Sequence, residues 1–283
     1  MERHITAGID GSSESLDAAD WAAWEALRRG LPLHLVHAAD EPASRTRLPE
    51  LDAPAERERT ALDHAAMRLS YGHPTLTIRP SRISGPPVPA LLAAADSAET
   101  LVLGSRGYTT FAAFMVGSVA LGVTAGASRP VVLVRAGERP EDEHEDTTAG
   151  PYRPVVLGLD LDHPCDEVLE YAFYAATVRR APLHVLHTWM MPLVPSASAD
   201  DPEEEKARAL TAALAPWHHT FPEIQVREQL IHGRAGHHLL MASTNASLMV
   251  IGRSIAPGGE HLGITTRSVI HHVLCPVAVV PHA

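Results

Sequence analysis

The segment HITAGIDGSSESLDAADWAAWEALRRGLPLHLVH, residues 4–37, decides the fold of this 283-residue chain. Residues 4–9 are a short apolar run typical of a strand, and residues 16–29 place apolar side chains at helical spacing. Gly30 is a typical helix stop, and residues 33–37 form a second apolar run. The segment therefore predicts two parallel strands joined by a helix, because a helical crossover returns the chain in the same direction.

The same alternation continues through the first half of the chain. It predicts helices over 56–69, 88–95 and 119–127, and strands over 76–83, 101–103 and 131–134. The continuously apolar 101–103 run is typical of a strand that helices cover on both faces. We therefore expect an α/β fold with a doubly wound, Rossmann-like parallel sheet, which binds ligands beyond the carboxyl ends of its strands where the strand order reverses.

The second half of the chain repeats the first in four blocks that keep their order. Offsets of 150, 150, 148 and 146 residues relate 8–10 to 158–160, 32–37 to 182–187, 103–106 to 251–254, and 130–134 to 276–280. Such drifting offsets are what loop-length changes produce in a duplicated domain. We therefore expect tandem domains over residues 1–137 and 154–283, joined by an acidic, solvated linker over 138–153.

Composition restricts the partners and the compartment. The formal net charge is −11, so the chain lacks the basic surface that nucleic acids or anionic membranes attract. Its apolar runs are shorter than the ~18–20 residues of a membrane span, and the amino terminus lacks the apolar core of a signal peptide. The two cysteines, far apart in sequence, suit a reducing compartment. We expect a cytoplasmic protein that does not bind membranes or nucleic acid.

A glycine-rich stretch is the strongest candidate for a binding site. It reads Gly-Ser-Arg-Gly at 104–107, then nine residues, then Gly-Ser at 117–118. Gly107 lets the backbone turn towards a ligand, and the helix that follows Gly117 offers unpaired N–H groups to an anion. Ser118 would add a hydroxyl donor and cap that helix. The stretch predicts a phosphate-binding loop, although it lacks the Lys of a Walker motif, and a purely structural turn before a capped helix carries equal weight.

Residues at two other strand ends favour the binding interpretation. Asp10 follows the first strand, where its carboxylate would accept hydrogen bonds from ribose or hold a divalent metal. His37 and Ala38 close the second strand at the same edge, where backbone groups would recognise an adenine.

With these motifs, the chain resembles the tandem-domain, ATP-binding members of the universal stress protein family. The resemblance rests on Gly-Ile-Asp-Gly-Ser at 8–12, Gly-x2-Gly-x9-Gly-Ser at 104–118, and shorter matches at 22–26, 85–86 and 271–280. It implies ATP, with Mg²⁺, as the ligand. The implied adenine and ribose contacts are Gly8, Asp10 and Ala38, and the implied phosphate contacts are Gly104, Ser105, Arg106, Gly107, Gly117, Ser118 and Val119.

The second copy departs from this pattern. Leu161-Asp162 replaces the Gly-Ser pair of the first copy, Ile255 replaces the second loop glycine, and the shortened loop ends in Gly263-Ile264. A lost hydroxyl, a lost glycine and an added carboxylate should each weaken phosphate binding. We therefore expect one competent site per chain, although the second copy retains Gly158, Asp160, Gly252 and Gly263.

Eighteen histidines raise the alternative of a metal site. Adjacent pairs such as His237-His238 diverge by roughly 100° on a helix, and the cysteines have no zinc-ligand spacing. We expect no structural metal, and we expect Cys275 to be an inert core thiol.

The leading interpretation is a nucleotide-dependent regulator of a stress response without strong catalytic activity. The alternatives are a slow ATPase or ATP-using transferase on the same fold, and an interaction module with empty sites. The apolar runs 131–134 and 277–280 are expected to pair the two copies within one chain and to support a homodimer. No protein partner is evident from the sequence.

Overall fold

The computed structural model describes residues 3–39, 49–105, 116–145, 150–163, 165–191, 201–255 and 262–283. The chain divides into two compact units, Met1–Pro140 and Glu141–Ala283. Each unit alternates strands and helices, as the sequence predicts.

The first unit contains the strands β1 (Ile5–Gly8), β2 (Leu33–Ala39), β3 (Ile78–Ser84), β4 (Thr100–Ser105) and β5 (Val131–Arg135). Its helices are α1 (Ser13–Arg29), α2 (Pro49–Gly72), α3 (Pro87–Ser97) and α4 (Ser118–Gly126). The second unit contains the strands β6 (Val155–Gly158), β7 (Leu183–Trp189), β8 (Val226–His232), β9 (Leu248–Ser254) and β10 (Val277–His282). Its helices are α5 (Asp166–Arg179), α6 (Pro202–Thr220), α7 (Ala235–Ser243) and α8 (Ile264–His272).

The predicted parallel sheets are confirmed in both units. The strand order of the first is β3-β2-β1-β4-β5, with all neighbouring strands parallel, and the second repeats it as β8-β7-β6-β9-β10. The strand order therefore reverses between β1 and β4, and between β6 and β9. Since ligands of doubly wound sheets bind at this reversal, it locates the candidate site of each unit.

Helix α1 shows why the first segment folds as its sequence predicts. Its N-cap is Ser12, whose hydroxyl accepts a hydrogen bond from the N–H of Ser15. It ends at Gly30, which adopts the left-handed conformation with φ 64°. Between these ends, the small side chains of Ala18, Ala22 and Ala26 are fully buried, so the helix packs closely on the sheet.

Helix α2 departs from the sequence-based expectation in detail. It begins at Pro49, earlier than the expected residue 56, and it buries Leu62, Ala65 and Leu69, whereas Ala61 is half-buried. The larger leucine side chain gains more from burial than alanine does.

No helix within the described ranges is both long and apolar enough to cross a bilayer.

The segment expected to be a solvated linker has local structure. A 3-10 helix covers Pro140–Glu143, and His144 forms an isolated antiparallel bridge with Tyr152. Glu143 and His144 are buried, and the Glu143 carbonyl accepts a hydrogen bond from the N–H of Arg153 at 2.8 Å. This part of the 138–153 segment is therefore folded back on itself instead of being fully solvated.

Candidate functional site

A cavity of about 760 Å³ opens at the carboxyl edge of the first sheet, where the strand order reverses. It brings together seven of the residues named from the sequence: Gly8, Asp10, Ala38, Gly104, Gly117, Ser118 and Val119. The strand ends and the start of α4 therefore meet around one space, as a doubly wound sheet requires.

Asp10 is held by the turn that leads into α1. Its Oδ1 accepts hydrogen bonds from the hydroxyl and the N–H of Ser12, and its own N–H donates to the Ser15 hydroxyl at 3.3 Å. Burial raises the pKa of Asp10, but the hydrogen bonds from Ser12 and Ser15 outweigh it, so the pKa lies below its usual value. The side chain is consequently an oriented, ionised acceptor at neutral pH.

His37 forms part of the cavity wall between β1 and β2. Its ring is buried, and Nδ1 lies 2.6 Å from the carbonyl oxygen of Ile9. Because a carbonyl only accepts, Nδ1 carries the proton and donates it. This bond fixes the orientation of the ring, whereas the sequence suggested only backbone recognition at residues 37–38.

Gly104 has a packing role that the sequence did not reveal. A Cβ atom at this position would lie 2.6 Å from the backbone carbon and oxygen of Glu14, in the first turn of α1. Only glycine allows α1 to approach β4 this closely. The glycine therefore positions the Asp10 turn and α1 against the sheet, whatever it contributes to a ligand.

The start of α4 differs from the expectation in one detail. Gly117 is the N-cap, with no side-chain capping bond, and Ser118 is the first helical residue. Because Ser118 follows the cap position, it does not cap the helix, and it is an exposed residue of the cavity lining. The first-turn N–H groups, including that of Val119, have no partner within the helix and point beyond its end. This is the geometry that binds anions.

Three predicted phosphate contacts are not among the described residues that line the cavity. Ser105 is buried, and its hydroxyl donates to the Val134 carbonyl at 3.1 Å, so this side chain stabilises the sheet and does not line the cavity. Arg106 and Gly107 lie outside the described residues. Their contribution stays a prediction.

The sequence interpretation missed a part of the cavity rim that depends on a long-range contact. Asp17 on α1 accepts a hydrogen bond from the N–H of Gly137 at 2.8 Å, and Glu14, Asp17 and Gly137 all line the cavity. Gly137 has φ 81°, a conformation that favours glycine. No local sequence pattern connects residues 120 positions apart, so only the folded chain reveals this contact.

The second unit has a corresponding but smaller cavity of about 450 Å³, between the ends of β6 and β9. Gly158, Asp160 and Gly252 line it, as the duplication predicts, whereas Gly263 is the N-cap of α8 and is not among its lining residues. Asp162 lies 2.6 Å from Lys206, and this hydrogen bond is the main reason that the pKa of Asp162 is lowered.

The histidine and cysteine side chains that were considered as metal ligands do not come together in the described part of the chain. Within the described ranges, no group of three or more His, Cys, Asp or Glu side chains is arranged to hold a metal ion. Cys275 is buried, and neither cysteine forms a disulfide. Burial raises the pKa of Cys165, the N-cap of α5, and therefore favours its protonated form.

The fold and its two edge cavities define a class of tandem α/β protein with one candidate ligand site in each doubly wound domain. The profile of the universal stress protein family matches residues 1–135 and 151–281. The chain therefore belongs to the universal stress protein family.

Full-length relatives share the tandem arrangement. The chain is 30% identical to a universal stress protein of Mycolicibacterium smegmatis, over 99% of this chain and 97% of the relative. It is 27% identical to a universal stress protein of Mycobacterium tuberculosis, over 97% and 96%. Among solved structures, a universal stress protein of Archaeoglobus fulgidus aligns with TM-score 0.73 and 19% identity, covering 99% of this chain and 98% of that chain. At this identity, the structural likeness shows the fold alone.

Proposed function

We propose that the first domain binds ATP with Mg²⁺ and that the protein is a nucleotide-dependent regulator of a stress response, without strong catalytic activity. One observation carries the proposal. The start of α4, the Asp10 carboxylate and the end of β2 all face one cavity at the reversal of strand order. These groups match the three parts of a nucleotide, because a helix start suits phosphates, a carboxylate suits ribose hydroxyls, and a strand end suits the base.

The charges around the cavity favour the magnesium complex over free ATP. Asp10, Glu14 and Asp17 line the cavity, and its described lining residues include no lysine or arginine. These carboxylates would repel an uncompensated triphosphate. Mg²⁺ typically binds through substrate phosphates and one or two carboxylates, so Asp10 fits as its protein ligand without a preformed cluster. The ion would neutralise phosphate charge at the start of α4.

The same geometry supports slow hydrolysis at most. His37 is the one histidine among the described residues that line this cavity, but it is buried and its Nδ1 donates to the Ile9 carbonyl. Asp10 accepts two hydrogen bonds from Ser12, and its lowered pKa makes it a weak base. Hydrolysis that is fast and abolished by Asp10→Ala would instead support the ATPase alternative.

Ser118→Asp tests the proposal, with Ile264→Asp as its matched control at the equivalent helix start of the second domain. A carboxylate at the start of α4 should repel the phosphates and weaken Mg²⁺–ATP binding at least tenfold, about 1.4 kcal/mol. Ile264 is 91% exposed, so its replacement should leave folding and ATP binding unchanged. Titration calorimetry on the full chain, with AMP and cyclic AMP as competitors, provides the measurement.

Two results would contradict the proposal. Two equivalent ATP sites in the wild-type chain would contradict the assignment to the first domain alone. Equal losses in both variants would show that added charge, rather than the α4 site, is responsible. Mass spectrometry of any nucleotide released from the freshly purified protein would identify the natural ligand directly.

We also propose a cytoplasmic location and a homodimeric assembly. Two thiols without a disulfide are compatible with the cytoplasm. The apolar strands β5 and β10 are proposed to support a homodimer. Sedimentation of the full chain would test the homodimer.

A further inference from the structure

The first domain contains a second cavity, which lies beside helix α3 and outside the cavity assigned to ATP. This space, the α3 groove, has a volume of about 560 Å³ and lies between α3 and the strands β1, β2 and β3. Pro87 and Leu91 of α3 line the cavity assigned to ATP, whereas Ala90 and Ala94 line the groove. Because each pair is spaced by one helical turn, the two pairs lie on different faces of α3. The helix, together with Val36 of β2, therefore separates two neighbouring spaces.

Small side chains on α3 leave this space open. Ala90 and Ala93 line the groove, and the second copy has His238 and Met241 at these positions. The 148-residue offset that equates them also relates the starts of α3 and α7. The alanines of the first copy therefore leave room that the longer side chains of the second copy would occupy.

A pair of stacked imidazole rings forms the inner end of the α3 groove. The ring centroids of His4 and His34 lie 3.9 Å apart, with an angle of 18° between the ring planes, and both residues line the groove. His34 is in register with Arg79 on the neighbouring strand, so the two side chains leave the sheet on the same face. The sheet wall of the groove therefore carries nitrogen-containing side chains instead of carboxylates.

The charge of the α3 groove is opposite to that of the cavity assigned to ATP. The described residues that line it include Arg82 but no aspartate or glutamate. Two acids lie near this part of the chain but outside the groove lining. Asp96 accepts a hydrogen bond from the Ser128 hydroxyl, and Glu99 forms ion pairs with two arginines. In a chain of net charge −11, the groove is consequently a place where an anion meets little repulsion.

Exposed hydrogen-bond donors line the open side of the groove along β3. Ser81, Arg82 and Ser84 are exposed, and they belong to the strand at the edge of the first sheet. A guanidinium can bind a carboxylate or a phosphate through two parallel N–H groups, and hydroxyls can add further donors. The outer N–H groups of an edge strand are also not used by the sheet. Donors of three kinds are therefore accessible to a ligand at this side.

We propose that the α3 groove binds a small organic anion through a carboxylate or phosphate group. Arg82 and the hydroxyls of Ser81 and Ser84 hold the charged group, and the carbon skeleton packs against the alanines of α3. The site is separate from the cavity assigned to ATP, and the inference does not depend on that assignment. A ligand in the groove would contact the same helix that lines the cavity assigned to ATP.

The experiment uses the full chain carrying Ser118→Asp, which disfavours anions at the start of α4, and two probes, citrate and inorganic phosphate. NMR titration should give saturable shifts of the Ala93 and Ala94 amides, with a Kd on the order of 1 mM or tighter for at least one probe. A response to citrate alone indicates a carboxylate ligand, and a response to phosphate alone indicates a phosphorylated one. Glycerol, an uncharged control, should produce no saturable shift.

Two substitutions introduce residues that the second copy already carries. Arg82→Leu copies Leu230 and should weaken binding of the responding probe about tenfold, because a charged donor is lost. Ala93→Met copies Met241 and should weaken binding by a similar factor, because its side chain fills the groove. Arg82→Lys keeps the positive charge and should cost only about threefold. Met241→Ala is the matched control in the second domain, and it should leave binding unchanged.

Three results would overturn the inference. They are the absence of saturable shifts at these amides with both probes, an R82L chain that binds as tightly as its parent, and an A93M chain with unchanged affinity. Arg82 and Ala93 are exposed, so both variants should fold, and hydrogen exchange at the β2 amides verifies this. ATP binding is measured separately in the wild-type chain, so failure of one proposal leaves the other standing.

Discussion

The two domains of this chain share a sheet but differ at its ligand-binding edge. Both have the same strand order, and in both a buried histidine on the second strand donates from Nδ1 to the carbonyl that follows the first strand. The first domain then turns through Gly11 and Ser12, whereas the second turns through Leu161 and Asp162. The comparison shows that buried strands preserve the fold, while a few residues beyond the strand ends determine which ligand fits.

The difference is clearest in the turn after the first strand. Gly11 has a positive φ of 85°. The corresponding Leu161 does not, because Arg180 is the one non-glycine residue with a positive φ in the described part of the chain. Ser12 caps α1 and donates to Asp10, whereas the corresponding Asp162 pairs with Lys206. Both turns hold their first carboxylate through a backbone N–H, which Ser12 donates to Asp10 and Asp162 donates to Asp160, but the second turn adds a further carboxylate to the cavity rim.

The largest expected effect comes from adding one methyl group at matched glycines. Gly104→Ala should destabilise the first domain by about 3 kcal/mol, because its Cβ would meet the α1 backbone at 2.6 Å. Gly252→Ala should cost the second domain about 1 kcal/mol, because its closest contact is the His282 ring at 2.9 Å, which can move. Hydrogen exchange at the β1 and β6 amides measures the stability of the first and the second domain separately. Equal losses would contradict this packing difference.

A smaller effect is expected where the first helix of each domain ends. Gly30 and Arg180 are equivalent by the 150-residue offset, and both are left-handed, with φ 64° and 51°. Arg180→Gly should stabilise the second domain by about 1 kcal/mol, since a side chain is costly in this conformation. The reciprocal Gly30→Arg should destabilise the first domain by a similar amount. Denaturant titration with the same exchange measurement provides the test, and a stabilising G30R would contradict it.

The smallest effect concerns the ionisation of Asp10. Ser12→Ala removes the hydrogen bond that the hydroxyl donates to Asp10 but leaves the burial, so the pKa of Asp10 should rise. Because its folded pKa is lowered in the wild type, ionised Asp10 stabilises the native state above the ordinary value of 3.8 and loses this contribution as the pH falls through the lowered pKa. NMR titration of the carboxyl carbon measures the shift. Ser13→Ala is the control, because that hydroxyl donates to Glu14 instead.

Much of the fold could be predicted from local patterns in the sequence. The apolar runs, the helical spacing and Gly30 predicted the β1–α1–β2 unit, because strand and helix periodicities bury one face of each element. The repeated blocks predicted that the second half has the same order of elements. The position of the candidate cavity could be predicted in the same way. Asp10, Ala38 and Gly117 all lie at strand ends or helix starts, and the carboxyl ends of parallel strands meet at one edge of the sheet.

The sequence by itself therefore determined the duplicated parallel-sheet fold, the family and the edge at which a ligand would bind. Only the tertiary structure showed that Gly104 is needed for close packing on Glu14, that Asp17 binds the Gly137 N–H, and that His282 fills the space beside Gly252. The physical reason is distance along the chain. Periodicity depends on neighbouring residues, whereas these contacts join elements that approach each other only after the whole sheet has formed.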